Sequence, residues 1–178
     1  MNLYGKIIPT ALLLVATTCG CGVVLDRVIP SAPERHAYIM AGDAMAPTIE
    51  KDDRVAVRMV DGDYVPAAGD IVVFDARSWG LDGSFVHRVT GVPGSTVECC
   101  DAKGRQVVDG VPAEEDYLAG SPGRGLFEVV VPPGRLWVQG DNRETALDSR
   151  AHMGDPSGGT IAVSDVIGVV ELDGSQQK

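Results

Sequence analysis

Residues whose types and spacing could do chemistry fall in three stretches: "GDAMAPT" at Gly42–Thr48, "VHRVTGVPGSTV" at Val86–Val97, and "VPPGRLWVQGDNRETALDSRAHMGD" at Val131–Asp155. His87 is the candidate for acid–base work, since an unperturbed imidazole titrates near pH ~6.5 and accepts a proton at neutral pH without deep burial. A histidine on a β-branched strand is by default a hydrogen-bonded packing residue, so its neighbours must decide its role. Asp43 reads as a turn former, and Asp141 with Arg143 as a turn and a solvated pair. Met45, Trp79 and Trp137 read as packing side chains, the two indoles in a core or facing a membrane. Thr48 carries a hydroxyl, but four positions beyond Ala44 it faces elsewhere. The histidines His36, His87 and His152 stand at no metal-ligand spacing, so neither a metal nor a cofactor is expected.

These residues must be positioned by strands. After residue 36 the chain is a succession of short period-two or β-branched runs, among them "RVAVRMV", "GDIVVFDA", "SFVHRVTGV", "LFEVVVPP" and "TIAVSDVIGVVEL". Gly, Pro, Asp and Asn bound them, as strands joined by tight turns require. No amphipathic run of helical length follows Leu25, and a loop excursion is expected near Gly110–Gly125. The fold class is therefore mainly β: an N-terminal transmembrane helix followed by an all-β domain of twisted antiparallel sheets. Cys99 and Cys100 are adjacent, where a bond would close a small ring, and read as strand residues open to oxidation.

Composition sets the outer limits. The 178 residues carry a net charge of −10, with no basic cluster, which argues against a nucleic-acid partner. Ile7 to Leu25, "IIPTALLLVATTCGCGVVL", is free of charge. As a helix it would reach roughly 28 Å, enough to cross a bilayer. An uncleaved anchor, a removed secretory signal and a lipoprotein signal acylated at Cys19 or Cys21 are the alternatives. All three put the remainder outside the cytoplasm. The expected organisation is an anchor over 1–25, a polar, proline-bearing linker over 26–36 and a β domain over 37–178.

In this order and at these spacings the three stretches resemble the type I signal peptidases, membrane-anchored serine endopeptidases that remove signal peptides from exported proteins. The run "VPPG", then "GDNR", then "DSR" after four residues, carries the resemblance most specifically. It implies a serine nucleophile where this chain has Ala44, and a lysine base in bacterial members where it has His87. Histidine fills that place in the signal peptidases of the endoplasmic reticulum and of archaea. A weak hydroxyl nucleophile needs such a base, and the backbone N–H groups of the turn must face the developing oxyanion.

The resemblance also implies a base-orienting serine where Ala146 stands, and an oxyanion-assisting hydroxyl in some members where Gly42 stands. Asp141, Asn142, Arg143, Asp148, Ser149 and Arg150 keep the family pattern, with an Asp148–Arg150 salt bridge beneath the site. Gly42, Asp43, Met45 and Pro47 take the substrate-binding positions.

Three functional expectations follow from this resemblance. One is a catalytically inactive protein of this class that binds signal-peptide-like segments of exported proteins. Another is an active Ser-His signal peptidase whose nucleophile was replaced. The third is a noncatalytic partner of a paralogous active signal peptidase. Each places the chain in contact with membrane lipid, with its β domain on the extracytoplasmic face.

Overall fold

The structure is a computed structural model and describes residues 34–121 and 125–174. The expected anchor, and the linker up to residue 33, lie outside the described residues. Among the described residues, no helix is long and apolar enough to cross a membrane.

Eleven strands are described, in two antiparallel sheets. The larger contains β1 (Arg35–Ile39), β2 (Arg54–Met59), β3 (Ile71–Asp75), β4 (Ser84–Gly91), β9 (Arg135–Gln139), β10 (Ile161–Ala162) and β11 (Val166–Glu171). Its strand order is β1-β2-β11-β3-β4-β9-β10. The smaller has the order β7-β6-β5-β8, from β5 (Thr96–Cys99), β6 (Gln106–Val108), β7 (Val111–Pro112) and β8 (Phe127–Val130). Strand β1 takes in Arg35 and His36, the last two residues of the expected linker.

Alternation explains the layering. In β2, Val55 and Val57 point inward while Arg54 and Ala56 stay exposed. The central strand β3 is apolar on both faces: Val72 and Phe74 enter one core with Val89, Leu136 and Val138, and Ile71 and Val73 enter the other with Met45, Ile49 and Val57. Each fully buried aliphatic or aromatic side chain contributes about 1.5–3 kcal/mol. Trp79 and Trp137 are both buried, which places them in the core.

The strand β4 connects the sheets. Its pairing with β9 shifts register between Val89 and Gly91. A side chain at Gly91 would strike Val97, Val131 and Trp137. Glycine there lets the strand pass against the small sheet's core.

Cys99 and Cys100 meet one expectation in part. Cys99 ends β5, but the two sulfurs are bonded to each other across a cis peptide bond.

Candidate functional site

The turn at Gly42–Thr48 is held by its own apolar residues. Met45 and Ile49 are fully buried in the core on one face of the large sheet. The Ile49 amide donates to Met45 O at 2.9 Å and the Ala46 amide to Asp43 O at 3.1 Å, and the Ala46–Pro47 bond is cis. Gly42, Ala44 and Pro47 are left at or near the surface, so the exposed edge of the turn faces the 140–150 loop.

That loop is stitched to the turn. The Asn142 amide donates to Ala44 O at 3.0 Å, and Thr48 Oγ1 donates to Asp141 Oδ2 at 2.5 Å. A side chain at Gly140 would collide with the Ala44 carbonyl oxygen and the Ala146 methyl group, so glycine is required by the close approach. Ala44, Gly140, Asn142 and Ala146 are thereby gathered at one place.

Buried charge stiffens the loop. Asp141 is fully buried and takes a two-pronged pair from Arg88, Nε to Oδ1 at 2.8 Å and Nη2 to Oδ2 at 2.6 Å. Such bidentate, charge-assisted bonds are short and directional. Asp148 accepts from Gly140 N at 3.1 Å and pairs with Arg150 Nη2 at 2.7 Å, and Arg150 in turn donates to the Arg143 carbonyl at 2.9 Å. The Asp148–Arg150 bridge is the one the family pattern implies. The Ser149 hydroxyl oxygen, also buried, accepts from Val138 N at 2.9 Å and ties the loop to β9.

His87 stands on the opposite face of β4 from Arg88, because successive strand residues alternate. It pairs with Val72 of β3, and its ring lies against Phe74, Trp79 and Phe85 at centroid separations of 5.8–6.2 Å. At 1% exposure it is buried far more deeply than proton acceptance at neutral pH requires. Neither ring nitrogen has a hydrogen-bond partner among the described residues. Burial among these apolar rings pushes its pKa from 6.5 down to about 4, against the weaker opposing pull of Asp148 and Asp141. The imidazole is therefore neutral at physiological pH, the form a general base needs. The field of Asp148 reaches His87, and its Oδ2 accepts from the amide of Gly140, the residue packed against Ala44.

One further expectation changes, for Asp141 and Arg143, and the one for Thr48 holds. Asp141 and Arg143 are neither solvated nor paired with each other: both are buried, Asp141 against Arg88 and Arg143 against Glu115. Thr48 is engaged as a donor to a carboxylate rather than turned toward a reacting group. Arg88, Glu115 and Tyr117 belong to the site and were not singled out from the sequence. Strand alternation next to His87 is the signal that places Arg88 on the other face.

An open cleft of about 690 Å³ lies beside this cluster, lined by Ala146, Thr145, Glu144, Asp148, Arg150 and Ser121. No group of three metal-ligating side chains occurs among the described residues. Fold and site together form an antiparallel β domain in which the 42–48 turn is bonded to one charged loop and His87 is buried on a strand beside it.

Comparison with known proteins gives the family. The family model for signal peptidase, peptidase S26, matches residues 10–173, and the chain belongs to that family. A probable signal peptidase I-1 of Synechocystis sp. is 38% identical over 60% of this chain and 57% of its own length. Signal peptidase I of Leptolyngbya laminosa is 34% identical, covering 74% of this chain and 67% of the relative. Signal peptidase I U of Bacillus subtilis is 35% identical, covering 76% and 73%. A solved signal peptidase I of Enterococcus faecalis is 30% identical over 61% of this chain and 98% of that one, with a TM-score of 0.49. The chain thus spans a little over half of the Synechocystis relative.

Proposed function

We propose that this protein is a signal-peptide-binding member of the signal peptidase family in which peptide hydrolysis is disabled by the loss of the nucleophile at Ala44, with Ala146 at the base-orienting position. The observation that carries the reading is Ala44. Its carbonyl is held by the Asn142 amide and it lies against Gly140, yet its methyl group can neither attack a carbonyl nor release a proton. The surrounding frame is assembled: the Arg88–Asp141 and Asp148–Arg150 pairs are formed, and His87 is in its neutral form. Activity does not follow from fold alone. Without a nucleophile, binding and oxyanion donors leave only about 10³–10⁴-fold over water, by analogy with serine peptidases lacking a triad member.

The ligand on this reading is an extended segment of an exported protein. It adds to a strand edge by main-chain bonds and seats small side chains in the cleft beside Ala146. The neighbourhood of Ala44, Gly140 and Ala146 is itself built of small residues, packed so closely that a methyl group on Gly140 would not fit. The β domain works on the extracytoplasmic face of the membrane, held there by the apolar segment over Ile7–Leu25.

A fluorescence anisotropy titration tests this. The unaltered protein in detergent should bind a labelled peptide with an Ala-x-Ala site, bind its Phe-substituted counterpart at least about tenfold more weakly, and leave both intact by mass spectrometry. Hydrolysis by the unaltered protein, abolished in His87→Ala, or equal affinity for both peptides, would contradict it.

A second reading, an active Ser-His peptidase whose serine was replaced, is favoured by the neutral state of His87. An alanine codon in the natural gene would eliminate it.

A further inference from the structure

The rings around His87 come from different stretches of the chain. Phe74 stands on β3, Phe85 on β4 itself, and Trp79 at the end of the short helical turn Ala76–Trp79. Among the described residues, only Trp79 of these touches a ring outside the set. The imidazole of His152 lies flat on the indole, with centroids 4.3 Å apart and planes 8° apart, while His87 meets the same indole at 6.2 Å and 69°.

His152 is 9% exposed, and its Nδ1 is hydrogen-bonded to Asp155 Oδ2 at 2.7 Å, which fixes the orientation of the ring. The Trp79 Nε1–H donates to Gly159 O at 2.9 Å. Two supports of the indole therefore come from residues 152–159, the stretch that follows Asp148, Ser149 and Arg150. An aliphatic side chain would fill the place of His152 without burying a polar nitrogen, and His152 Nε2 is enclosed with no partner among the described residues. What the imidazole supplies instead is a flat face, held by Asp155 parallel to the indole.

We infer that His152, oriented by Asp155, is a positioning residue for the base position: it holds the Trp79 indole across His87 and keeps water from that imidazole. The inference rests on the reading of His87 given above. Burial is the largest influence on the His87 proton; Asp148 and Asp141 oppose it, and Arg150 and His152 reinforce it. Asp155 is the charged group that meets His152. Cutting His152 back to a methyl group opens a ring-sized space against the indole, close to the surface. Water entering there gives protonated His87 the solvation that burial denies it, so His87 takes up its proton at a higher pH.

The test uses the full chain in detergent with isotope-labelled histidine. NMR follows the His87 ring signal, assigned by its loss in His87→Gln, from pH 3 to pH 8. The parent should titrate at about pH 4. His152→Ala should raise that midpoint by about one pH unit, while His152→Phe, which restores a flat ring, should stay within about 0.3 of the parent. Asp155→Ala, at a half-buried position, should give a smaller rise, and stands in if His152→Ala fails to fold. In an Ala44→Ser background, His152→Ala should lose about twofold in kcat/KM between pH 7 and pH 5, with the His152→Phe profile nearly flat.

A midpoint unmoved in His152→Ala, or raised as much in His152→Phe, would overturn the inference. So would a parent midpoint near 6.5, since no water would then be held off. A midpoint that moves while the rate profile of a cutting background does not would also overturn it, because His87 would not be the base. If the Ala44→Ser protein cuts nothing, the proposed function fails, and the NMR titration alone decides whether His152 keeps His87 dry.

Discussion

A neutral imidazole with no hydrogen-bond partner among the described residues is an expensive thing to bury, and His87 shows the cost as a pKa near 4. The unfolded chain takes up a proton as pH falls below about 6.5, whereas the folded chain refuses it until about 4. Stability therefore falls as pH drops through that window, by up to about 1.4 kcal/mol per unit, and is fully present above it. Thermal melts from pH 7 to pH 4 should show this slope in the parent and a flatter one in His87→Phe. The Arg88–Asp141 pair makes a second prediction. Removing the carboxylate in Asp141→Ala leaves a buried guanidinium unpaired, and urea unfolding should register a loss of about 3–5 kcal/mol at unchanged m-value. Ala44, His87, Asp148 and Arg150 are picked out in the sequence through the family resemblance, and of these the Asp148–Arg150 pair is found formed. The burial of His87 was not legible there, since Phe74 and Trp79 reach it from outside its own strand.

At the level of elements, the site depends on how closely the 140–150 loop approaches the 42–48 turn. Gly140→Ala would drive a methyl group into the Ala44 carbonyl and the Ala146 methyl, and should destabilise by about 1–3 kcal/mol as overpacking does. Circular-dichroism melts read the stability loss, and the anisotropy titration should show peptide affinity falling with it. The strands of the large sheet could be read from period two, as "RVAVRM" and "IVVFD" show, and so could the shortage of helix. Residues 113–121 could not. A loop has no period that announces a long-range partner, and Glu115 sits in an acidic run that looks solvated until Arg143 is found against it.

For the whole molecule, the family frame is present in two sheets. The large sheet carries His87 and flanks the 42–48 turn, and the loop after β7 reaches the 140–150 loop through the Glu115–Arg143 pair. On the proposed reading this frame lacks the nucleophile oxygen at Ala44, beside the base-orienting hydroxyl at Ala146, and restoring the first should restore chemistry. The decisive measurement is cleavage of a signal-peptide substrate with an Ala-x-Ala site by the parent, by Ala44→Ser and by Ala44→Ser/His87→Gln, in detergent between pH 6 and pH 8. The account predicts cutting by Ala44→Ser alone, with a rate nearly flat across that range because the base is already unprotonated. Cutting by the parent, or by the double variant as fast as by the single, would contradict it.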